Sequence, residues 1–311
     1  MKFARTVFIV ASLLLHSPAM WAQSATSTPP DINALIRDSS RNGKTLSRRV
    51  FDYTWTSKNT TREANKRGEV TKESVRVYEV YPVPSRDHVV QKLISVNGAA
   101  LSPKRAEKEQ KRVMAELMLE VMMPLDVSLP EAEVAPEDDK GCPQFGIWTE
   151  LEGFGGKEIS FGISDFLCAG EFSSPRTARM NERDAIVLDF RPRADFRAST
   201  PAKAPITKMH GTVWIDVQDR VVMRVEAWLA QSSGAKPASA SAPVRPAPAL
   251  IFEDTRLPDG MWVRTLRYIN TIQNPLAFNG VNVEWRQDFS EYRRYNTEFK
   301  EYKLEEPKAQ P

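Results

Sequence analysis

Few residues of this chain have types and spacings that could do chemistry: His88 and His210, Asp216 in the stretch GTVWIDVQDRVVMRVEAWL, a Ser-x-x-Lys run from Ser233 to Lys236, and the cysteines Cys142 and Cys168. A histidine-activated nucleophile needs its base and an orienting carboxylate within hydrogen-bond reach. Any such triad would have to draw on one of the two histidines left once the N-terminal leader described below is removed. His88 opens an alternating stretch and His210 stands just before Gly211, both rim positions at strand entrances. Metal sites built on two or three histidines are equally short of ligands. The Ser233 to Lys236 match lies in a run of Ala, Pro and Ser that offers no rigid scaffold. In GFGGKEISFG, Glu158 stands where a Gly-x-Ser-x-Gly nucleophile turn needs glycine. The acidic stretch from Pro124 to Gly141 lacks the alternating oxygen ligands and closing glutamate of a calcium loop. These observations predict a protein without a metal, a cofactor or a complete catalytic constellation.

Asp216 reads as a structural carboxylate. Val213, Ile215 and Val217 alternate onto one face, while Thr212, Trp214 and Asp216 take the other. After a turn at Gln218-Asp219-Arg220, the residues Val221, Met223, Val225 and Ala227 continue the apolar face, with Arg224 and Glu226 pointing away. The expectation is an aspartate on the polar side of a hairpin, paired with Arg220 or Arg224 or accepting backbone N–H groups.

The elements that would position these residues are mostly strands. DINALIRDSSRNGK reads as a short helix ended by Asn42-Gly43. RRVFDYTWT places Phe51, Tyr53 and Trp55 on one face, ESVRVYEVYPV alternates Val75 and Val77 with charged neighbours, and HVVQKLISVNG alternates again before the Asn97-Gly98 turn. These predict three consecutive antiparallel strands. One long helix follows, with Ser102 as N-cap and Pro103 at its first position. Its second half carries Val113, Met114, Leu117, Met118, Val121 and Met122 at spacings of three and four. Such a face either packs on the sheet or, through flexible thioethers, lines an adaptable apolar site. SDFLCAGEF reads as a short helical or irregular piece. DAIVLDFRPR, the pair within ITKMHGTVWIDVQDRVVMRVEAWL, the pair around Pro258-Asp259-Gly260 and VNVEWRQDFSEYRRY complete the strands.

The chain begins with a basic start at Lys2 and Arg5, an apolar run from Val7 to Leu15 and small residues at Ser17, Ala19 and Ala22. That is the layout of a secretory signal peptide, and a run of about nine apolar residues falls short of the roughly 20 needed to span a membrane. The expected organisation is a signal peptide over 1–22, a polar spacer over 23–30, one β domain over 31–305 with a flexible Ala/Pro/Ser loop at 232–249, and a tail over 306–311. Removing 1–22 leaves 41 basic against 40 acidic residues, so nothing favours nucleic acid as a partner. In an oxidising compartment Cys142 and Cys168 are expected to form a disulfide; buried, unpaired thiols are the alternative.

With its elements in this order, the chain resembles the periplasmic lipoprotein carriers and receptors of Gram-negative bacteria, the LolA and LolB-like superfamily. Gly211 to Asp216 resembles the family's strand of glycine, an aromatic, Ile or Val and aspartate, and the strand with Met223 and Arg224 follows it. The resemblance covers most of residues 31 to 300. It implies a mainly β fold of the α+β type, with a strongly curved antiparallel sheet or half-open β-barrel capped by a few helices. It also implies an apolar concavity that holds acyl chains or a lipoprotein. A half-open sheet leaves one apolar face to be covered by helices or by a guest. The residues expected to line it are Phe51, Tyr53, Trp55, Trp262, Leu266, Tyr268, Val283, Trp285 and Phe289 from strands, with Met114, Met118 and Met122 from the helix. The expectation is an exported, non-enzymatic lipid- or lipoprotein-binding protein. The rivals are an envelope module with a fully packed sheet that engages other proteins and, with less support, an exported hydrolase.

Overall fold

Alternating apolar residues and turn-forming dipeptides build one antiparallel sheet, and the computed structural model describes residues 31–83, 88–122, 162–198, 200–230, 247–272 and 282–294. Among these residues the strands are β1 (Tyr53–Ala64), β2 (Val70–Val83), β3 (His88–Val96), β4 (Ala99–Ala100), β5 (Gly170–Met180), β6 (Arg183–Pro192), β7 (Met209–Asp216), β8 (Val222–Leu229), β9 (Leu250–Arg256), β10 (Trp262–Asn270) and β11 (Val283–Arg294). Their order across the sheet is β4-β3-β2-β1-β11-β10-β9-β8-β7-β6-β5. Two meanders, β1 to β4 and β5 to β11, are therefore joined by the β1·β11 ladder. With β4 and β5 as its edges, the sheet is curved and not closed into a barrel.

The turns follow their residue types. Asn97 (φ 49°) and Gly98 (φ 80°) take the left-handed conformation of a two-residue hairpin. Gly260 (φ 89°) closes the turn between β9 and β10. Strand β5 escapes a reading by alternation because it is an edge strand, largely exposed and interrupted by Pro175, and its turn to β6 uses Asn181 and Glu182 without glycine. The loop expected over 232–249 ends sooner than its composition suggests. Ala249 is buried, donates its N–H to the Ala227 carbonyl and accepts from Asn270. Gly211 has a packing reason: a Cβ there would stand 2.0 Å from the Glu226 carbonyl oxygen on β8, so only glycine lets the two strands approach.

Helix α1 (Ile32–Arg49) is capped by Asp31, whose carboxylate accepts the Ala34 N–H at 3.1 Å. It runs through Asn42-Gly43 instead of stopping there. The Asn42 amide donates to the carbonyls of Asp219 and Arg220 at 2.9 and 3.3 Å, and Leu46 and Val50 prolong the apolar stripe onto the sheet. A tertiary contact thus occupies the side chain that would otherwise favour a cap. Helix α3 (Ile163–Ala169) and a 3-10 turn (Pro201–Lys208) pack beside α1 on the same face.

Helix α2 (Pro103–Met122) takes the opposite face. Val113 packs with Val83 and Val90, and partly with Tyr81 and Leu117. Its side chains also blunt the unpaired edge of β3: the Glu109 carboxylate accepts the Leu93 N–H at 2.8 Å, and the Arg112 guanidinium donates to the Gln91 carbonyl.

Candidate functional site

Between α1, α3 and the helix-covered face of the sheet lies a partly open cavity of about 280 Å³. Its roof comes from Ser39, Gly43, Leu46 and Ser47 of α1 and from Ile163 and Leu167 of α3. Its floor carries Trp55, Val80, Trp262, Trp285 and Phe289. Of the residues expected to line an apolar site, Trp55, Trp262, Trp285 and Phe289 meet here. Phe51 and Tyr53 are buried beside it, in the cluster with Val50 and Met261, and Val283 is buried in the main core. Met114 and Met118 are exposed on the far side, at 41 % and 54 %, and the side chain of Met122 lies outside the described residues.

Leu266 and Tyr268 point away from the cavity, for a local reason. The β9·β10 register shifts between Arg264 and Leu266, a β-bulge. The extra residue reverses the alternation, so Trp262, Arg267 and Ile269 share the inner face, whereas Leu266 and Tyr268 face outward opposite Asp288 and Arg286. A second bulge near Glu291 (φ 55°) brings Phe289 and Tyr292 onto one face in the same way.

The bulge on β10 also turns a cation inward. Arg267 is 8 % exposed and sits 5.8 Å from the Trp285 ring and 5.6 Å from the Phe289 ring. It begins a polar ladder that crosses three strands. Arg267 donates to the Gln287 amide oxygen at 3.2 Å, Gln287 donates to the Ser57 hydroxyl at 2.7 Å, and Ser57 donates to Asn59 at 2.9 Å. Burial, and then the neighbouring Arg264 cation, push the Arg267 guanidinium down to about 9. Arg264 itself lies 4.9 Å from the Phe252 ring and is paired with Asp254. Tyr292 donates its hydroxyl to the Arg264 carbonyl at 2.7 Å, and its pKa is raised by burial. The expected lining named neither Arg267 nor Gln287. Gln287 could have been found, because it falls between Trp285 and Phe289 in the same alternation; nothing in the sequence marked Arg267, because the bulge reverses its face.

Asp216 is buried, not on a polar surface, and its partner is neither Arg220 nor Arg224. It accepts from the Arg183 guanidinium at 2.6 and 2.9 Å and from the Asp219 N–H at 2.6 Å. Arg220 is instead paired with Asp38 on α1, and Arg224 with Glu226 and Glu253. Asp219 accepts from Arg183, Arg256 and the Trp262 indole, each at about 3 Å. The β7–β8 turn is thus a polar clasp that holds α1 over the cavity. Val217 is exposed because the chain has left the strand at Asp216. His210 is exposed, 6.4 Å from the Trp228 ring. The His88 side chain, Cys142, the acidic stretch and Ser233 to Lys236 lie outside the described residues. No group of three or more His, Cys, Asp or Glu among the described residues could hold a metal.

No family model and no curated protein matches the chain. It is similar to solved structures. One is an outer membrane lipoprotein-sorting protein domain from Vibrio parahaemolyticus, at 11 % identity and a TM-score of 0.33, covering 86 % of this chain and 95 % of that one. Another is a LolA superfamily protein from Nitrosomonas europaea, at 7 % identity and 0.27, covering 85 % and 93 %. A third is MucB in complex with MucA, at 11 % identity and 0.23, covering 85 % and 94 %.

The clasp makes a pH-dependent contribution to stability. Burial pulls the Asp216 carboxyl up, but Arg183 and the Asp219 N–H outweigh it, leaving its pKa below the ordinary 3.8. A depressed folded-state pKa means the contribution is complete above the unfolded value and is lost as the pH falls through the folded one. Asp216→Asn is expected to cost about 3 kcal/mol at pH 7. In urea unfolding the gap between variant and wild type should narrow towards pH 3; a gap that stays constant, or widens on acidification, contradicts this assignment.

Proposed function

We propose that this chain is an exported, non-enzymatic periplasmic protein that holds an acyl chain, free or as part of a lipoprotein, in the cavity under α1. The observation that carries this reading is the cavity itself. An open sheet face is covered by two helices, and space floored by three tryptophans and a phenylalanine is left unfilled between them. A fully packed interaction module would not leave it, because cores are packed to crystal-like density with few voids. The reading accords with the resemblance drawn from the order of elements. No helix among the described residues is long and apolar enough to cross a membrane, and export rests on the leader read in residues 1–22.

Size limits the guest. At 280 Å³ the cavity is near the lower bound of small-molecule sites. At about 30 Å³ for a water-sized group it holds roughly nine methylenes, enough for one chain segment. Burying them would contribute about 7 kcal/mol, against about 4 kcal/mol or more of lost freedom on association. Apolar contact alone therefore supports weak, reversible binding, the behaviour a carrier needs.

Cys168 lies on α3, which roofs the cavity. A bridge to Cys142 would tether that roof to the acidic stretch. Denatured, non-reduced protein should then show no thiol to an alkylating reagent, and two labelled thiols would overturn the bridge.

Native mass spectrometry of the protein purified from an envelope fraction is expected to show an adduct of acyl-chain mass. Gly43→Leu, which fills the roof while gaining up to about 1 kcal/mol of helix propensity, should raise the thermal midpoint and abolish the adduct. Wild-type protein that is lipid-free in every preparation would contradict the reading.

A further inference from the structure

Arg267 is a cation that the fold buries without giving it a carboxylate of its own. It is nine-tenths buried, rests between the Trp285 and Phe289 rings and donates to the Gln287 amide oxygen. Its Nε–H meets no acceptor among the described residues. The charges around it do not cancel: Asp254 is bonded to Arg264, so two guanidinium groups share one carboxylate, and the half-buried Tyr292 phenol stays neutral. Arg267, Arg264, Asp254 and Tyr292 all line the cavity. A cation taken out of water without a counter-ion is costly, and an apolar side chain of similar volume would fill the space at less expense. Guanidinium groups, in turn, recognise carboxylate and phosphate through paired N–H donors.

We propose that the cavity takes a single-chain amphiphile with an acidic head group, whose anionic oxygens pair with Arg267 while the chain lies against Trp55, Trp262 and Trp285. The inference rests on the acyl-chain reading above and narrows it. The space suits one chain of about nine methylenes by the water-sized measure, and the unshared positive charge selects the head. The Gln287, Ser57 and Asn59 ladder holds the guanidinium in place before the guest arrives, so little ordering is left for binding to supply.

Three tryptophans at the site make their emission the readout. The full chain after leader removal is titrated near pH 7 with sodium decanoate, decyl phosphate, 1-decanol and sodium acetate. Decanoate and decyl phosphate are expected to bind at least tenfold tighter than decanol, and acetate not measurably. Arg267→Met, which keeps the bulk and removes the charge, should bring the acids level with decanol. Decanol binding as tightly as decanoate to the wild type would overturn the inference while sparing the acyl-chain reading; this comparison needs no variant. Acetate competing as well as decanoate would reduce the site to one for small anions and also overturn it. Failure of all three ten-carbon probes would overturn the acyl-chain reading and the inference together.

Discussion

Residues Tyr53 to Glu63 of β1 run antiparallel to Val283 to Arg294 of β11, and without that ladder the chain would fold as two separate meanders. Every other neighbour in the sheet is also a neighbour in sequence. This single long-range pairing makes one curved surface, and it lies under the cavity: Trp55 and Asn59 come from one side of the seam, and Trp285, Gln287 and Phe289 from the other. Such non-local pairing is slow to form because chain closure must precede the contacts that reward it. The polar ladder from Arg267 to Asn59 runs across the seam, so forming the β1·β11 pair and positioning the buried cation are one event.

An open sheet with an apolar inner face needs a cover, and α1 supplies it only where it is anchored. Asn42 and Asp38 tie it to the β7–β8 turn, which is fixed in turn by Arg183, Asp216, Asp219 and Arg256. Below this clasp the helix presents Ser39, Gly43 and Ser47. Two serines and a glycine leave space beneath the helix that larger residues would fill. The cavity thus follows from two features together: a roof held by polar contacts at one end, and small residues where large ones would have closed the gap. Helix α2, on the other face, guards the β3 edge and takes no part in the cavity among the described residues.

Much of this was legible in the sequence, and where it was not, the reason is physical. The hairpins could be read because alternation and turn residues such as Asn97-Gly98 are local signals. The N-terminal helix was expected to stop at Gly43, since Asn-Gly favours an end, but Asn42 is held by carbonyls from residues 219 and 220 that no window of sequence contains. Strict alternation grouped Trp262 with Leu266 and Tyr268. The bulge between Arg264 and Leu266 instead grouped Trp262 with Arg267, and a hidden cation took the place of two expected apolar contacts. Asp216 was expected on the polar side of a hairpin with Arg220 or Arg224, but it is buried and its partner Arg183 comes from β6, a strand whose side-by-side placement with β7 the turn pattern did not reveal. Edge strand β5 gave no apolar signal because neither of its faces is well buried.

Whether the space under α1 binds one chain is tested most directly by tryptophan quenching with a fatty acid brominated at mid-chain. Trp55, Trp262 and Trp285 line the cavity, whereas Trp214 and Trp228 do not. Quenching is expected to saturate at one chain per protein and to leave part of the emission untouched, with the unbrominated acid displacing the quencher. Quenching that rises linearly without saturation, or none at all, would contradict it.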